Sequence, residues 1–103
     1  MTTHIIIKQS KRLRKGYAWA YTFVKIGGKT FKLEYECGNN YLHRKALVLL
    51  DNGSWAYTAN SLEAGHQCSQ AGRLYYGSEP EEHEKANSEF VASMIEHLEL
   101  LFS

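Results

Sequence analysis

Residues 17–37, YAWAYTFVKIGGKTFKLEYEC, decide the fold. Over residues 17–26 side chains alternate between two characters, the signature of a strand with unlike faces. Gly27-Gly28 then supplies the two positive-φ positions that a tight hairpin turn requires, and residues 29–37 bring the chain back. A two-residue loop at those glycines pairs Val24 with Phe31, Thr22 with Leu33, Ala20 with Tyr35 and Ala18 with Cys37. That face is mostly apolar and belongs to a core. The opposite face carries Tyr17, Trp19, Tyr21 and Phe23 against Lys32, Glu34 and Glu36, an aromatic row set among charges and directed toward solvent.

On the N-terminal side, residues 4–8 contain three consecutive isoleucines, β-branched and stiff at χ1, and read as a short strand. Residues 9–16 (QSKRLRKG) are basic and nearly free of apolar side chains, which predicts a solvated loop. On the C-terminal side, Gly38-Asn39-Asn40 is a turn cluster, followed by a strand over residues 42–50 whose run ALVLL suggests burial on both faces. Asn52-Gly53 fits a type I′ turn into a partner strand over residues 54–59, with Leu50 facing Trp55 and Val48 facing Tyr57.

Asn60 with Glu63 resembles a capping box, yet Gly65 and Gly72 break up the stretch behind it, so residues 61–71 read as a short helix or an irregular loop. Residues 73–76 are a candidate last strand. Ser78 with Glu81 forms a second capping-box pattern, Pro80 suits a first helical turn, and a helix extends from there to about Leu101. At 100° per residue its apolar side collects Ala86, Phe90, Val91, Met94, Ile95, Leu98, Leu101 and Phe102, with His97 inside the stripe. Lys85, Glu89, Ser93, Glu96 and Glu99 fall on the other side. Strands first and a long helix last predict one α+β domain over residues 1–103. It is an antiparallel sheet of about five strands built on two hairpins, with the C-terminal helix packed on one face.

Composition sets the outer limits. With 44% hydrophobic and 22% charged residues in 103, the chain is ordinary for a single globular domain. No run approaches the roughly 20 apolar residues of a membrane span, and the N-terminus lacks a secretory pattern. Two cysteines, Cys37 and Cys68, fall short of the disulfide framework of a small secreted scaffold, so a reducing cytoplasm with free thiols is expected. A net charge of +1 conceals a division within the chain. Residues 1–50 hold ten Lys and Arg against two Glu, a net of +8, while residues 51–103 hold two against nine acids, a net of −7. Such asymmetry points to a charged partner for one face or to mutual attraction of the two halves.

The aromatic row beside the basic stretch Lys11, Arg12, Arg14 and Lys15 pairs stacking surface with positive charge, the combination that single-stranded nucleic-acid binders use. Glu34 and Glu36 on the same face weigh against phosphate, and a mixed face of Tyr, Trp, Phe and Arg suits the centre of a protein interface better, with Trp19 as anchor. The blander alternative is coverage of the rings by another element of the fold or by a second copy of the chain. Glu82, Glu89, Glu96 and Glu99 form a secondary acidic surface able to imitate a row of phosphates toward a basic groove. A solvated helix face with acids favoured by the N-terminal dipole explains most of it more simply.

Cys37, His43, His66 and Cys68 are possible metal ligands at spacings that match no familiar zinc framework, and no metal is expected. His97 reads as a hydrogen-bonded core histidine. No nucleophile elbow, zincin, phosphate-binding loop or dinucleotide fingerprint occurs, so no cofactor is indicated. A catalytic site assembled only in space would draw on Cys68 with His66 or Asp51 with His43. The sequence therefore predicts a small non-enzymatic interaction protein, an inhibitor or adaptor, docking on a protein partner. Nucleic-acid-processing machinery is a plausible target, in the general style of phage or mobile-element accessory proteins. Direct single-stranded nucleic-acid binding is the alternative reading.

Overall fold

The computed structural model describes residues 4–38, 42–58, 66–67 and 78–102. Its elements in chain order are β1 (His4–Leu13), β2 (Ala18–Ile26), β3 (Lys29–Cys37), β4 (Leu42–Leu49), β5 (Trp55–Tyr57), β6 (His66–Gln67) and the helix α1 (Pro80–Phe102). The sheet runs β1-β2-β3-β4-β5 with every neighbour antiparallel, and β6 pairs with the start of β4. The chain is thus an α+β fold, an open antiparallel sheet with one C-terminal helix packed against it. The expected helix or loop over 61–71 and strand over 73–76 lie outside the described residues, apart from β6.

The β2–β3 hairpin forms in the register read from its sequence, with Val24 opposite Phe31, Thr22 opposite Leu33, Ala20 opposite Tyr35 and Ala18 opposite Cys37. Gly27 (φ 56°) and Gly28 (φ 81°) both occupy the left-handed region that a tight turn between twisted strands demands. Their flanking alternation puts Ala18, Ala20, Val24, Ile26, Phe31, Leu33 and Tyr35 in full burial. Phe90, Val91, Met94, Ile95 and Leu98 of α1 close the same core. Each large side chain so enclosed contributes about 1.5–3 kcal/mol, which is why α1 lies on this face.

Three local expectations are corrected. First, residues 9–13 are not a loop: β1 continues to Leu13 along β2. Gln9 donates to Thr22 Oγ1 at 2.7 Å and Lys11 to Glu84 at 2.6 and 2.8 Å. An edge strand tolerates polar residues on both sides, so a lack of apolar residues does not argue against it. The register slips between Ile6 and Lys8, leaving Ile7 as a bulge.

Second, the turn after β4 is not type I′. Among the described residues no non-glycine has positive φ, so Asn52 is excluded from the first position of such a turn, whereas Gly53 sits at φ 89°. The Gly53 amide donates to the Leu50 carbonyl at 2.9 Å and the Leu50 amide to the Ser54 carbonyl at 2.8 Å. This is a three-residue loop closed by a glycine bulge, and Asn52 Oδ1 accepts from the Ser54 amide at 2.9 Å. The extra residue moves the register by one: Leu49 faces Trp55 and Leu47 faces Tyr57.

Third, the helix cap lies one residue later than read. The Glu79 amide donates to Glu82 Oε1 at 2.8 Å, and the Glu79 carbonyl accepts from the Glu82 and His83 amides. Pro80 takes the first helical position and its ring holds the preceding residue out of the helical region, so Glu79, not Ser78, is the N-cap, and Glu82, not Glu81, supplies the side chain that reaches back to it. The buried stripe is also turned slightly. His83 and Asn87 are buried within it, while His97 and Leu101 are exposed.

Candidate interaction surface

Side-chain alternation carries the outer face from strand to strand. On β2 it displays Trp19, Tyr21 and Phe23, with Tyr17 just ahead of the strand. Register then assigns Lys32, Glu34 and Glu36 from β3, and His43, Lys45, Leu47 and Leu49 from β4. The one-residue change at the second hairpin adds Trp55 and Tyr57 to the same face, because a slip of one position exchanges the two sides of a strand. Sequence reasoning placed both rings opposite core residues. The signal that locates them is the Asp51-Asn52-Gly53 triplet, which satisfies the three-residue turn as well as the two-residue one.

The rings form a connected surface. Trp19 and Tyr21 lie 5.0 Å apart between centroids, and Phe23 meets Trp55 edge-on at 5.9 Å. Ammonium groups sit over them: Lys8 is 4.9 Å from the Phe23 centroid, Lys32 is 5.1 Å from Trp55 and 5.7 Å from Tyr21, and Lys45 is 5.7 Å from Tyr57. The two acids of the face have partners within it. Glu34 pairs with Lys32 at 3.0 Å, and Glu36 accepts from the Tyr17 hydroxyl at 2.8 Å. Tyr17, Leu49 and Tyr57 are exposed, while Trp19, Tyr21, Phe23 and Trp55 are half-buried among their neighbours. Among the described residues no helix lies on this side, since α1 covers the other.

The basic stretch divides between the two faces. Arg12 lies opposite Trp19 on the outer side, and Arg14 is exposed just beyond β1. Lys11 and Lys15 turn instead to the helix, pairing with Glu84 at 2.6 Å and Glu79 at 3.3 Å. His4 Nδ1 meets Glu99 at 3.0 Å. The opposite charges of the two halves are therefore partly satisfied within the fold. Of the secondary acidic surface, Glu82, Glu89 and Glu96 are exposed, Glu82 while capping the helix, and Glu99 faces His4.

Of the other candidate groups, register sets His66 of β6 directly opposite His43 of β4, and the rest do not converge. Cys37 is buried on the helix face with its thiol pKa pushed up by burial, while alternation puts His43 on the outer face. Among the described residues no cluster of three metal-ligating side chains exists. Cys68 lies outside them. Asp51 and His43 stand at opposite ends of β4, about 26 Å apart for eight extended residues. A polar group that sequence reasoning missed lies under α1. The Tyr35 hydroxyl is 2.8 Å from His83 Nδ1, and His83 Nε2, Asn87 Oδ1 and Arg44 Nε are buried with no hydrogen-bond partner among the described residues. Among the described residues no helix is long and apolar enough to cross a membrane. Comparison of the chain with protein-family models, curated proteins and solved structures finds no match.

Proposed function

We propose that the chain is a non-enzymatic docking protein that recognises a protein partner through the outer sheet face, with Trp19 and the Phe23–Trp55 pair at its centre. The reading rests on one observation: Tyr17, Trp19, Tyr21, Phe23, Trp55 and Tyr57 share a face interleaved with lysines and free of any described helix. Interfaces concentrate binding in such aromatic centres ringed by polar groups. The excess of Lys8, Arg12, Lys25, Lys32 and Lys45 over two glutamates favours an acidic rim on the partner. A target among nucleic-acid-processing proteins would meet this face with its acidic margin rather than its basic groove. Affinity capture from cell extract with wild type and Trp19→Ala tests the reading. Loss of specific bands in a variant with unchanged circular dichroism supports it, and identical bands refute it.

The same positive excess favours direct single-stranded nucleic-acid binding as a second reading. Against it, Tyr21, Phe23, Trp55 and Tyr57 each already carry an ammonium group that a stacking base would have to displace. Retention of an RNA or single-stranded DNA oligonucleotide at low salt, weakening steeply as salt rises, would select this reading over the first.

A further inference from the structure

We propose that the chain forms a homodimer through β1, two copies joining edge to edge in antiparallel fashion about a two-fold axis between Ile7 and Lys8. β1 is a ten-residue strand at the end of the sheet, and no described residue pairs with its outer side. Ile5, Ile6 and Ile7 are 67%, 51% and 53% exposed, a contiguous apolar run that an isolated edge does not explain. A groove of about 550 Å³ runs along the same strand beneath α1. Ile6, Val91 and Ile95 form its apolar part, and His4, Glu96 and Glu99 close one end.

The bulge makes the strand self-complementary. Before it, His4 and Ile6 face the helix side; after it, Gln9, Lys11 and Leu13 do. In a straight strand, a two-fold axis between two adjacent residues would set each helix-side residue against an outward one. With the extra residue at Ile7, the pairs are His4 with Lys11, Ile5 with Ser10, Ile6 with Gln9 and Ile7 with Lys8, and the sides agree outside the central pair. Isologous contact of this kind is the commonest way for identical chains to associate.

Charge selects the same arrangement. Antiparallel approach carries the second copy's Lys11 to the end of the groove where Glu96 is exposed and Glu99 holds His4. No two lysines or arginines then stand opposite each other. Parallel pairing would stack Lys8, Lys11 and Arg12 on their own copies and bring no cation of the second copy to Glu96. The dimer is one sheet of ten principal strands with both helices on one side, and it leaves both outer aromatic faces available.

Light scattering on the full chain at high micromolar concentration should give a two-chain mass. Ile7→Lys, at an exposed position, places a cation opposite the second copy's Lys8, and Glu96→Lys reverses the charge at the groove end. Each should raise the dissociation constant about tenfold or more while circular dichroism stays unchanged. Hydrogen exchange should show β1 amides protected in wild type and fast in Ile7→Lys. A one-chain mass for wild type overturns the proposal, as does a two-chain mass that survives both substitutions. A dimer lost in Trp19→Ala but kept in Ile7→Lys also overturns it, and assigns self-association to the outer face. Unchanged partner capture by Trp19→Ala with the β1 dimer intact would count against the docking function alone.

Discussion

The Tyr35 hydroxyl lies 2.8 Å from Nδ1 of His83, joining the middle of the sheet to the first turns of α1 in a place where both residues are fully buried. Burial lowers the His83 pKa below its ordinary 6.5, and the nearby Glu82 carboxylate offsets only part of that. The folded protein therefore binds fewer protons than the unfolded chain between the lowered value and 6.5. The stability this neutral ring contributes is fully present above about pH 6.5 and is lost as pH falls through that window. Urea midpoints should be level near neutrality and decline on acidification below it, and His83→Gln should flatten the decline. A wild-type midpoint that holds or rises over the same interval would remove His83 as a titrating core residue.

The same pair predicts the effect of removing one oxygen. Tyr35→Phe nearly preserves volume but leaves Nδ1 of a buried imidazole without its partner, at a cost of about 1–3 kcal/mol. Denaturant unfolding with an unchanged slope is the measurement. A loss below ~0.5 kcal/mol would mean that another group takes over the nitrogen.

At the far end of α1 two residues close in the sequence should behave oppositely. Phe102 packs its ring 5.3 Å from that of Phe31, whereas Leu100 is 81% exposed. Phe102→Ala should cost about 1–2 kcal/mol for a half-buried aromatic pair, and Leu100→Ala should stay within about 0.5 kcal/mol of wild type. Equal effects in thermal unfolding would mean that the last turn of the helix is not anchored by Phe31.

The hairpin of β2 and β3 was legible residue by residue because alternation and the glycine pair specify one register together. The helix was legible as an element and in most of its buried stripe, but not at the stripe's margins. Counting apolar residues gave no weight to His83 and Asn87, which enter the core with Tyr35 and Arg44, and it drew in His97, which lies just off the buried side. β1 was cut short because an edge strand needs no apolar face, so its basic half carried no strand signal. The outer face was read correctly on β2 and β3 but incompletely overall. Whether Trp55 and Tyr57 join it depends on a single residue of turn length, and Asp51-Asn52-Gly53 is compatible with both lengths.

That turn offers the most discriminating substitution. In a type I′ turn Asn52 would hold positive φ, and Asn52→Gly would be neutral or stabilising. Here Asn52 has negative φ and its Oδ1 accepts from the Ser54 amide, so Asn52→Gly removes a hydrogen bond and frees the unfolded backbone. It should cost about 1 kcal/mol. Gly53→Ala should cost a similar ~1 kcal/mol, because φ is 89° while a Cβ there would meet nothing within 4 Å, which makes the penalty conformational rather than steric. If Asn52→Gly stabilised the protein, the type I′ turn would be restored, Trp55 and Tyr57 would return to the helix side, and the outer face would lose two of its rings.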